Sequence, residues 1–350
     1  MKKLPAMFRP PLIGLDISTE AVRMVELSGG RGQLSVSWAD VEPCTKAEVG
    51  AGSVSSTDNV TGALQRLLQR ARSRHKSVAS ALSASSVIVK VISLPTGMHE
   101  DAIEGQIRFE GQQYIPYPMD QVNFDFSILG ADKDRSGYQQ VLLVASKKEI
   151  IEDHLAIIEA AGLKAKFLEV RQFSLWNLYN HIHPQAASER STIALIEIGH
   201  TSFEIYVFES GTPIYSREHQ FGISRLLERI ARNFGLTMED AGRMQRFGGL
   251  PESYETEVLQ PFVEDLAGEL MRALDFFQTS MSDISVQRVV VFGSGASLPG
   301  IASNMPGIQV ENPDPFRDMS LAPGVNQRLI HQEGSSLAVA CGLALRRFTA

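Results

Sequence analysis

The chain has 350 residues, of which 43% are hydrophobic and 21% are charged, and its formal net charge is −7. This length is ample for a packed core and favours two lobes over one small domain. The acidic balance argues against nucleic acid as the main partner, because a basic surface is the usual footprint of such proteins. The two cysteines, Cys44 and Cys341, stand far apart, which argues against a disulfide framework or a zinc site.

The sequence shows neither a membrane-spanning segment nor the pattern of a signal peptide. The sequence contains no run of about 18 apolar residues, and its basic start, Met1 to Pro11, is not followed by the apolar stretch of a signal peptide. We therefore expect a cytoplasmic protein that reaches a membrane only through a partner. The oligomeric state stays open, including self-association.

The first half is predicted to open with short strands and then to alternate strands with helices. Short apolar or β-branched runs between turn residues predict strands, and apolar residues at helical spacing predict helices. Strands are expected over 12–17, 22–27, 34–38, 78–94, 124–129, 141–145 and 164–170, and helices over 59–73, 100–113, 148–161 and 173–181. The small polar stretch 184–190 is the best candidate for a boundary between lobes.

The second half begins in the same way as the first. Both halves have a strand that carries an acid, a small polar turn, a second strand, a glycine-containing turn and a third strand. Asp16 and Glu197 hold the same place in the two copies, and such an internal duplication is informative about the fold. Further strands are expected over 192–198, 203–208, 213–217 and 286–292, and helices over 224–234, from about 238, over 257–281 and over 335–348.

Two acidic turns and a glycine-rich loop after a strand predict a nucleoside triphosphate site. Turn amides and the hydroxyls of Ser18 and Thr19 can donate to phosphate oxygens, and a carboxylate such as Asp16 can hold Mg²⁺ through water. Gly293 and Gly295 would allow the backbone to approach the ligand closely. Each signal alone is also explained by an ordinary strand–turn connection. The missing P-loop and dinucleotide-binding patterns argue against those two folds.

Several segments share their pattern with a known family. They are Gly14–Ser18, Gln112–Pro118, Tyr215–Glu218 with Phe221–Gly222, Gly248–Pro251 with Tyr254, Asn312–Pro313 and Ala340–Arg346. With the order of the acidic turns and the glycine-rich loop, the sequence resembles the actin/FtsA superfamily. More narrowly, from about residue 12 to 348 it is similar to the PilM family of actin-like type IV pilus assembly proteins. The Tyr-Ile-Pro-Tyr-Pro segment is more specific than any of the phosphate-loop patterns.

The resemblance implies an α/β, two-lobed actin-like ATPase fold, similar to that of FtsA, with a small α/β insert in the first lobe. The implied parts are a first lobe of 12–76, 149–190 and 336–350, an insert of 77–148, a second lobe of 191–234 and 284–335, and a helical insert of 235–283.

The resemblance also implies ATP between the lobes. The implied ATP contacts are Asp16, Ser18, Thr19, Arg23, Glu197, Gly199, His200, Thr201, Gly222, Gly293, Ser294, Gly295 and Ala296, with Asp16 and Glu197 holding Mg²⁺ through water. For His200 a solvent-facing role is an equal alternative.

The implied function is that of a cytoplasmic scaffold in the inner-membrane complex of type IV pilus assembly. Its implied partner is the cytoplasmic N-terminal tail of the membrane-anchored PilN, which would keep the protein at the inner membrane. The tail would bind a groove lined by Tyr114, Ile115, Pro116 and Tyr117. A rigid turn without a partner is the alternative interpretation of this segment.

Four departures from the superfamily pattern bear on hydrolysis. Glu197 stands where hydrolysing relatives prefer Asp, Arg23 stands where Lys is frequent, and Gly242 and Gln245 replace a Glu and a Lys that often contact ribose. The loop has Gly-Ser-Gly in place of Gly-Gly-Gly. We therefore expect ATP binding with at most slow hydrolysis. The alternatives are an enzyme of the sugar-kinase/ATPase branch and an FtsA-like, filament-forming membrane tether. The tether is disfavoured because no amphipathic tail follows Phe348.

Overall fold

The structure is a computed structural model that describes residues 11–18, 20–30, 33–44, 56–71, 73, 75–185, 191–281 and 284–349. Its strands are β1 (Ile13–Ile17), β2 (Ala21–Gly30), β3 (Gln33–Pro43), β4 (Ser77–Leu82), β5 (Val87–Pro95), β6 (Val122–Ala131), β7 (Tyr138–Lys147), β8 (Lys164–Val170), β9 (Thr192–Ile198), β10 (Phe203–Glu209), β11 (Thr212–His219), β12 (Arg288–Phe292), β13 (Val310–Glu311) and β14 (Ser320–Leu321).

Most helices lie where they were predicted, with changes at their ends. The helices are α1 (Ser56–Arg70), α2 (Glu100–Glu110), α3 (Lys148–Ala160), α4 (Arg171–Ile182), α5 (Ser224–Phe234), α6 (Met238–Phe247), α7 (Gln260–Ser280), α8 (Gln327–Glu333) and α9 (Ala338–Thr349). The helix α8 was not predicted, and the strand expected over 78–94 is two strands, β4 and β5, because the chain turns at Ala84–Ser86. The predicted N-cap of α6 is confirmed, because the Thr237 side chain accepts from the backbone N–H of Asp240. The helix predicted over 257–281 instead begins with a π-helical turn, Glu255–Leu259.

The strands of the described residues form two large sheets and one small one. The larger sheets have the orders β14-β3-β2-β1-β4-β8 and β11-β10-β9-β12-β13, and the small sheet has the order β5-β7-β6. In each large sheet an antiparallel three-stranded meander is extended by parallel strands, from β1 in one and from β9 in the other. The predicted duplication is therefore confirmed as a repeat of strand topology.

Two short segments pair outside the parts to which the sequence assigned them. Ser77–Leu82, placed in the 77–148 insert, pairs in parallel with β1 and β8 of the first large sheet. Ser320–Leu321, placed in the second lobe, pairs with β3. Both positions are determined by backbone hydrogen bonds to strands that are far away in the sequence. A local sequence pattern does not indicate such pairing. The division into four parts stays a prediction.

Helices α4 and α9 pack within the largest core cluster, which takes residues from both large sheets. A side chain at Gly14 on β1 would collide with the backbone of Ala340, and one at Gly342 would collide with the backbone of Ser174. These two glycines therefore allow α9 to pack directly on β1 and α4. The close packing holds the end of β1 and the start of α4 in fixed positions beside the cleft.

Candidate functional site

A cavity of about 1130 Å³ lies between the two large sheets. Residues from both halves line it, as the sequence predicted for a cleft between lobes. Of the predicted ATP contacts, those on its wall are Ser18, Arg23, Glu197, Gly199, His200, Thr201, Gly293 and Ser294. The others that the structure describes do not line the cavity, and these are Asp16, Gly222, Gly295 and Ala296. Thr19 lies outside the described residues.

The first acidic turn is closed by its own hydrogen bonds. The Ser18 hydroxyl donates to the carbonyl oxygen of Ala21 at 2.9 Å and accepts from the Ala21 N–H at 3.1 Å. Arg23 Nη1 lies 3.4 Å from the same hydroxyl and 3.6 Å from Asp16 Oδ2. The proton of the Ser18 hydroxyl is thus used inside the turn, and the positive charge on this side of the cavity comes from Arg23.

Arg171, the first residue of α4, joins the two acidic turns. It donates from Nη1 and Nη2 to the two oxygens of Asp16, at 2.8 and 3.2 Å. It donates from Nε and Nη2 to the two oxygens of Glu197, at 3.0 and 2.5 Å. A planar guanidinium suits such paired contacts. Arg171 also lines the cavity, so one side chain connects the two sheets at the cleft.

The positive charge of Arg171 is stabilised by its two carboxylate partners. Burial alone would lower the pKa of Arg171, but the carboxylates of Asp16 and Glu197 outweigh it, and the pKa is raised well above its ordinary value. The Asp16 side chain is only 1% exposed. The sequence prediction missed Arg171, because it follows a strand with no motif around it and is 155 residues from Asp16.

Glu204 is a second acid that the sequence prediction missed. It lies opposite Glu197 in the β9–β10 register, lines the cavity, and accepts a hydrogen bond from the Tyr206 hydroxyl. Burial, followed by the nearby Glu197 carboxylate, raises the pKa of Glu204 to about 8. The group is therefore mostly protonated at neutral pH. Its spacing of seven residues from Glu197 is the one signal that could have identified it.

The second turn packs tightly against the start of α5. The N–H of Gly199 donates to Ser202 O at 2.9 Å, and the N–H of Ser224 donates to His200 O at 2.7 Å. A side chain at Gly222 would collide with the backbone of His200. His200 Nδ1 lies 3.8 Å from Glu20 Oε1 across the cleft. Gly222 therefore supports the shape of the turn without lining the cavity.

Two glycines of the glycine-rich loop are required by close contact with Ile198 on β9. Gly293 has φ +96°, and a side chain there would collide with Ile198 O, while Gly295 donates its N–H to Ile198 O at 3.0 Å. Close packing on β9 is therefore a structural reason for these glycines, in addition to the expectation that they allow a ligand to approach. Ser294 lies between them on the cavity wall, and its buried hydroxyl has no partner among the described residues.

The comparisons with known proteins agree with this architecture. A family model described as type IV pilus assembly protein PilM matches residues 14–348. The chain belongs to the PilM family. A solved structure titled PilM–PilN type IV pilus biogenesis complex is 26% identical, with a TM-score of 0.78, and the match covers 98% of this chain and 100% of that one.

More distant structures share the fold alone. The ethanolamine utilization protein EutJ from Carboxydothermus hydrogenoformans is 14% identical, with a TM-score of 0.52 and coverage of 96% of this chain and 89% of that one. The archaeal actin homolog Ta0583 is 12% identical, with a TM-score of 0.50 and coverage of 97% and 99%. The predicted class, an α/β two-lobed actin-like ATPase fold, is confirmed.

The Tyr-Ile-Pro-Tyr-Pro segment of this PilM family member lies beside the small sheet. Ile115 is 1% exposed and belongs to the core of that sheet, with Tyr114 partly buried against it. Pro116 and Tyr117 are exposed, and Lys147 Nζ lies 4.5 Å from the centre of the Tyr117 ring. Ile115 therefore anchors the segment, with Tyr114 packed beside it and Pro116 and Tyr117 at the surface.

Two further features bear on the predicted roles. Gly242 and Gln245, the positions at which the resemblance implied a ribose contact, both line the cavity. No helix in the described part of the chain is long and apolar enough to cross a membrane.

Proposed function

We propose that this PilM family member is an ATP-holding scaffold of the type IV pilus inner-membrane assembly complex. The observation that carries the proposal is the cavity between the duplicated sheets, lined by both predicted turns and the glycine-rich loop. Its volume of about 1130 Å³ is ample for a nucleotide. The unpartnered Ser294 hydroxyl and the Arg23 guanidinium on its wall suit phosphate oxygens.

Under the same proposal, the protein hydrolyses ATP slowly at most. A general base must be free to accept a proton from the attacking water. Glu197 accepts hydrogen bonds from Arg171 at both of its oxygens, so neither oxygen is free to take a proton from water. This engagement of Glu197 favours retention of ATP over turnover.

The proposed partner is the N-terminal cytoplasmic tail of PilN, which would hold the protein at the cytoplasmic face of the inner membrane. Support comes from family membership and from the similar structure, which is a PilM–PilN type IV pilus biogenesis complex. The exposed Pro116 and Tyr117, fixed by the buried Ile115, give the tail a rigid aromatic contact.

Calorimetry with a synthetic PilN tail peptide tests this function. The full chain should bind the peptide, and Tyr117→Ala should weaken binding roughly tenfold or more if Tyr117 is a central contact. Phe276→Ala removes an aromatic side chain that is 49% exposed on α7, which packs on the large sheet that contains β9, and it should leave the affinity unchanged. The partner assignment fails if the unaltered chain does not bind, or if both variants bind as it does.

A further inference from the structure

The actin-like ATPase fold implies Mg²⁺ in the cleft, and the side chains permit a test of that expectation. Mg²⁺ prefers octahedral oxygen ligands and keeps several waters. Asp16 and Glu197, the carboxylates assigned to it, each accept hydrogen bonds at both oxygens from Arg171. These residues do not fit a hydrated Mg²⁺.

The guanidinium takes the position between the two turns that the metal would have. Arg171 is held from one sheet by Asp16 and from the other by Glu197, and its side chain is 11% exposed. A dication placed against the same carboxylates would be repelled by this charge at short range. An arginine fixed by two bidentate contacts keeps its charge and its orientation without a metal.

Nucleotide phosphates would meet two cations at this point of the cavity. Four of the five N–H donors of Arg171 bond the two carboxylates, which leaves the second N–H of Nη1 for a ligand. Arg23 lines the same cavity, 3.6 Å from Asp16, and its buried Nε has no partner among the described residues. Together Arg23 and Arg171 balance the charges of Asp16 and Glu197, which would otherwise repel phosphate. Glu20, 3.6 Å from Arg23 Nη2, is a third acid on the cavity wall.

We propose that Arg171 is the resident cation of this cleft and that it allows a nucleoside triphosphate to bind without a divalent metal ion. The inference rests on the proposed nucleotide function and adds a specific chemistry to it. Arg171 acts here as a binding and positioning residue, and no chemical step is assigned to it.

Titration of ATP into the full chain, in EDTA and in Mg²⁺, tests the proposal. The two dissociation constants should agree within about threefold. Arg171→Gln should weaken binding in EDTA roughly tenfold or more, since it removes a charge-assisted contact and uncovers two carboxylates. Mg²⁺ should recover part of that loss, because the carboxylate oxygens that Arg171 occupied are then open to the metal. Arg243→Gln, which removes an exposed arginine outside the cavity wall, should match the unaltered chain.

Manganese ion alone provides a second readout by electron paramagnetic resonance. The unaltered chain should not bind Mn²⁺ in the cleft, and Arg171→Gln should gain a site. If Arg171→Gln does not fold, as judged by circular dichroism, the variant with Arg171→Gln and Asp16→Asn replaces it, since its charge in this group equals that of the unaltered chain.

The outcomes separate the two claims. ATP binding that is lost in EDTA, or equal affinity of Arg171→Gln and the unaltered chain in EDTA, overturns the role of Arg171 and leaves nucleotide binding intact. Failure to bind ATP under both conditions overturns the proposed nucleotide function and this inference with it.

Discussion

The two copies of the acidic turn have the same topology but opposite electrostatics. In the first copy Asp16 lies opposite Arg23 in the β1–β2 register, and in the second Glu197 lies opposite Glu204 in the β9–β10 register. Both pairs are seven residues apart in sequence. Opposite charges across two strands are stabilising and like charges are not. Burial and the Glu197 carboxylate keep Glu204 mostly protonated at neutral pH, so the second copy has one charged acid and no cation of its own. Arg171 provides that cation while also binding Asp16.

The largest expected effect comes from removing that cation. Arg171→Gln leaves Asp16 and Glu197 without their shared partner, and breaking a buried ion pair in this way costs about 3–5 kcal/mol of unfolding free energy. Urea denaturation followed by circular dichroism measures it. The exposed Arg243→Gln should change stability by less than about 0.5 kcal/mol. Equal, small effects of the two variants would mean that Arg171 does not join the sheets.

Neutralising Asp16 and Glu197 one at a time should lower the free energy of unfolding by different amounts. Asp16→Asn removes the acid bound by both Arg171 and Arg23, and we expect a loss of about 2 kcal/mol. Glu197→Gln should cost less, about 1 kcal/mol, because removing the Glu197 charge also lowers the pKa of Glu204 and so reduces the cost of keeping its proton in the folded state. Thermal unfolding of both variants under one buffer gives the order. The reversed order would contradict the contrast between the two turns.

The sequence predicts the features that depend on neighbouring residues better than contacts between residues far apart in the chain. The acids, the turns and the strands around them follow local patterns, so β9 and α5 were predicted to the residue. Arg171 was missed because its partners come from strands far along the chain. Ile115 was assigned to a groove although it is buried, since the two tyrosines and two prolines around it do not report which face packs on the small sheet.

Glu204 should make stability depend on pH. Its pKa is about 8 when folded and 4.5 ordinarily, so between these values the folded state holds a proton that the unfolded state has lost. Stability should therefore fall as pH rises through this window and level off above it. Glu204→Gln should flatten that decline in denaturation midpoints measured across the window, whereas the exposed Glu228→Gln should preserve it. A decline that survives in Glu204→Gln would have another origin.

The smallest effect concerns a histidine behind the first turn. His154 Nε2 lies 2.8 Å from the Ser80 hydroxyl, which donates to Leu15 O. Burial, followed by the charge of Arg171, lowers the pKa of His154 to about 4. Its imidazole signals should therefore not titrate near neutral pH in a nuclear magnetic resonance series. Arg171→Gln should move the pKa upward; a downward shift or none would contradict the assigned influence.

The most direct test of the ATP-holding scaffold is the nucleotide content of the purified chain. The protein is loaded with ATP, separated from free nucleotide, incubated, denatured, and the released nucleotide is identified by chromatography. We predict close to one nucleotide per chain, still mainly ATP after prolonged incubation. A chain that retains no nucleotide, or that converts ATP to ADP over many turnovers, would contradict the account.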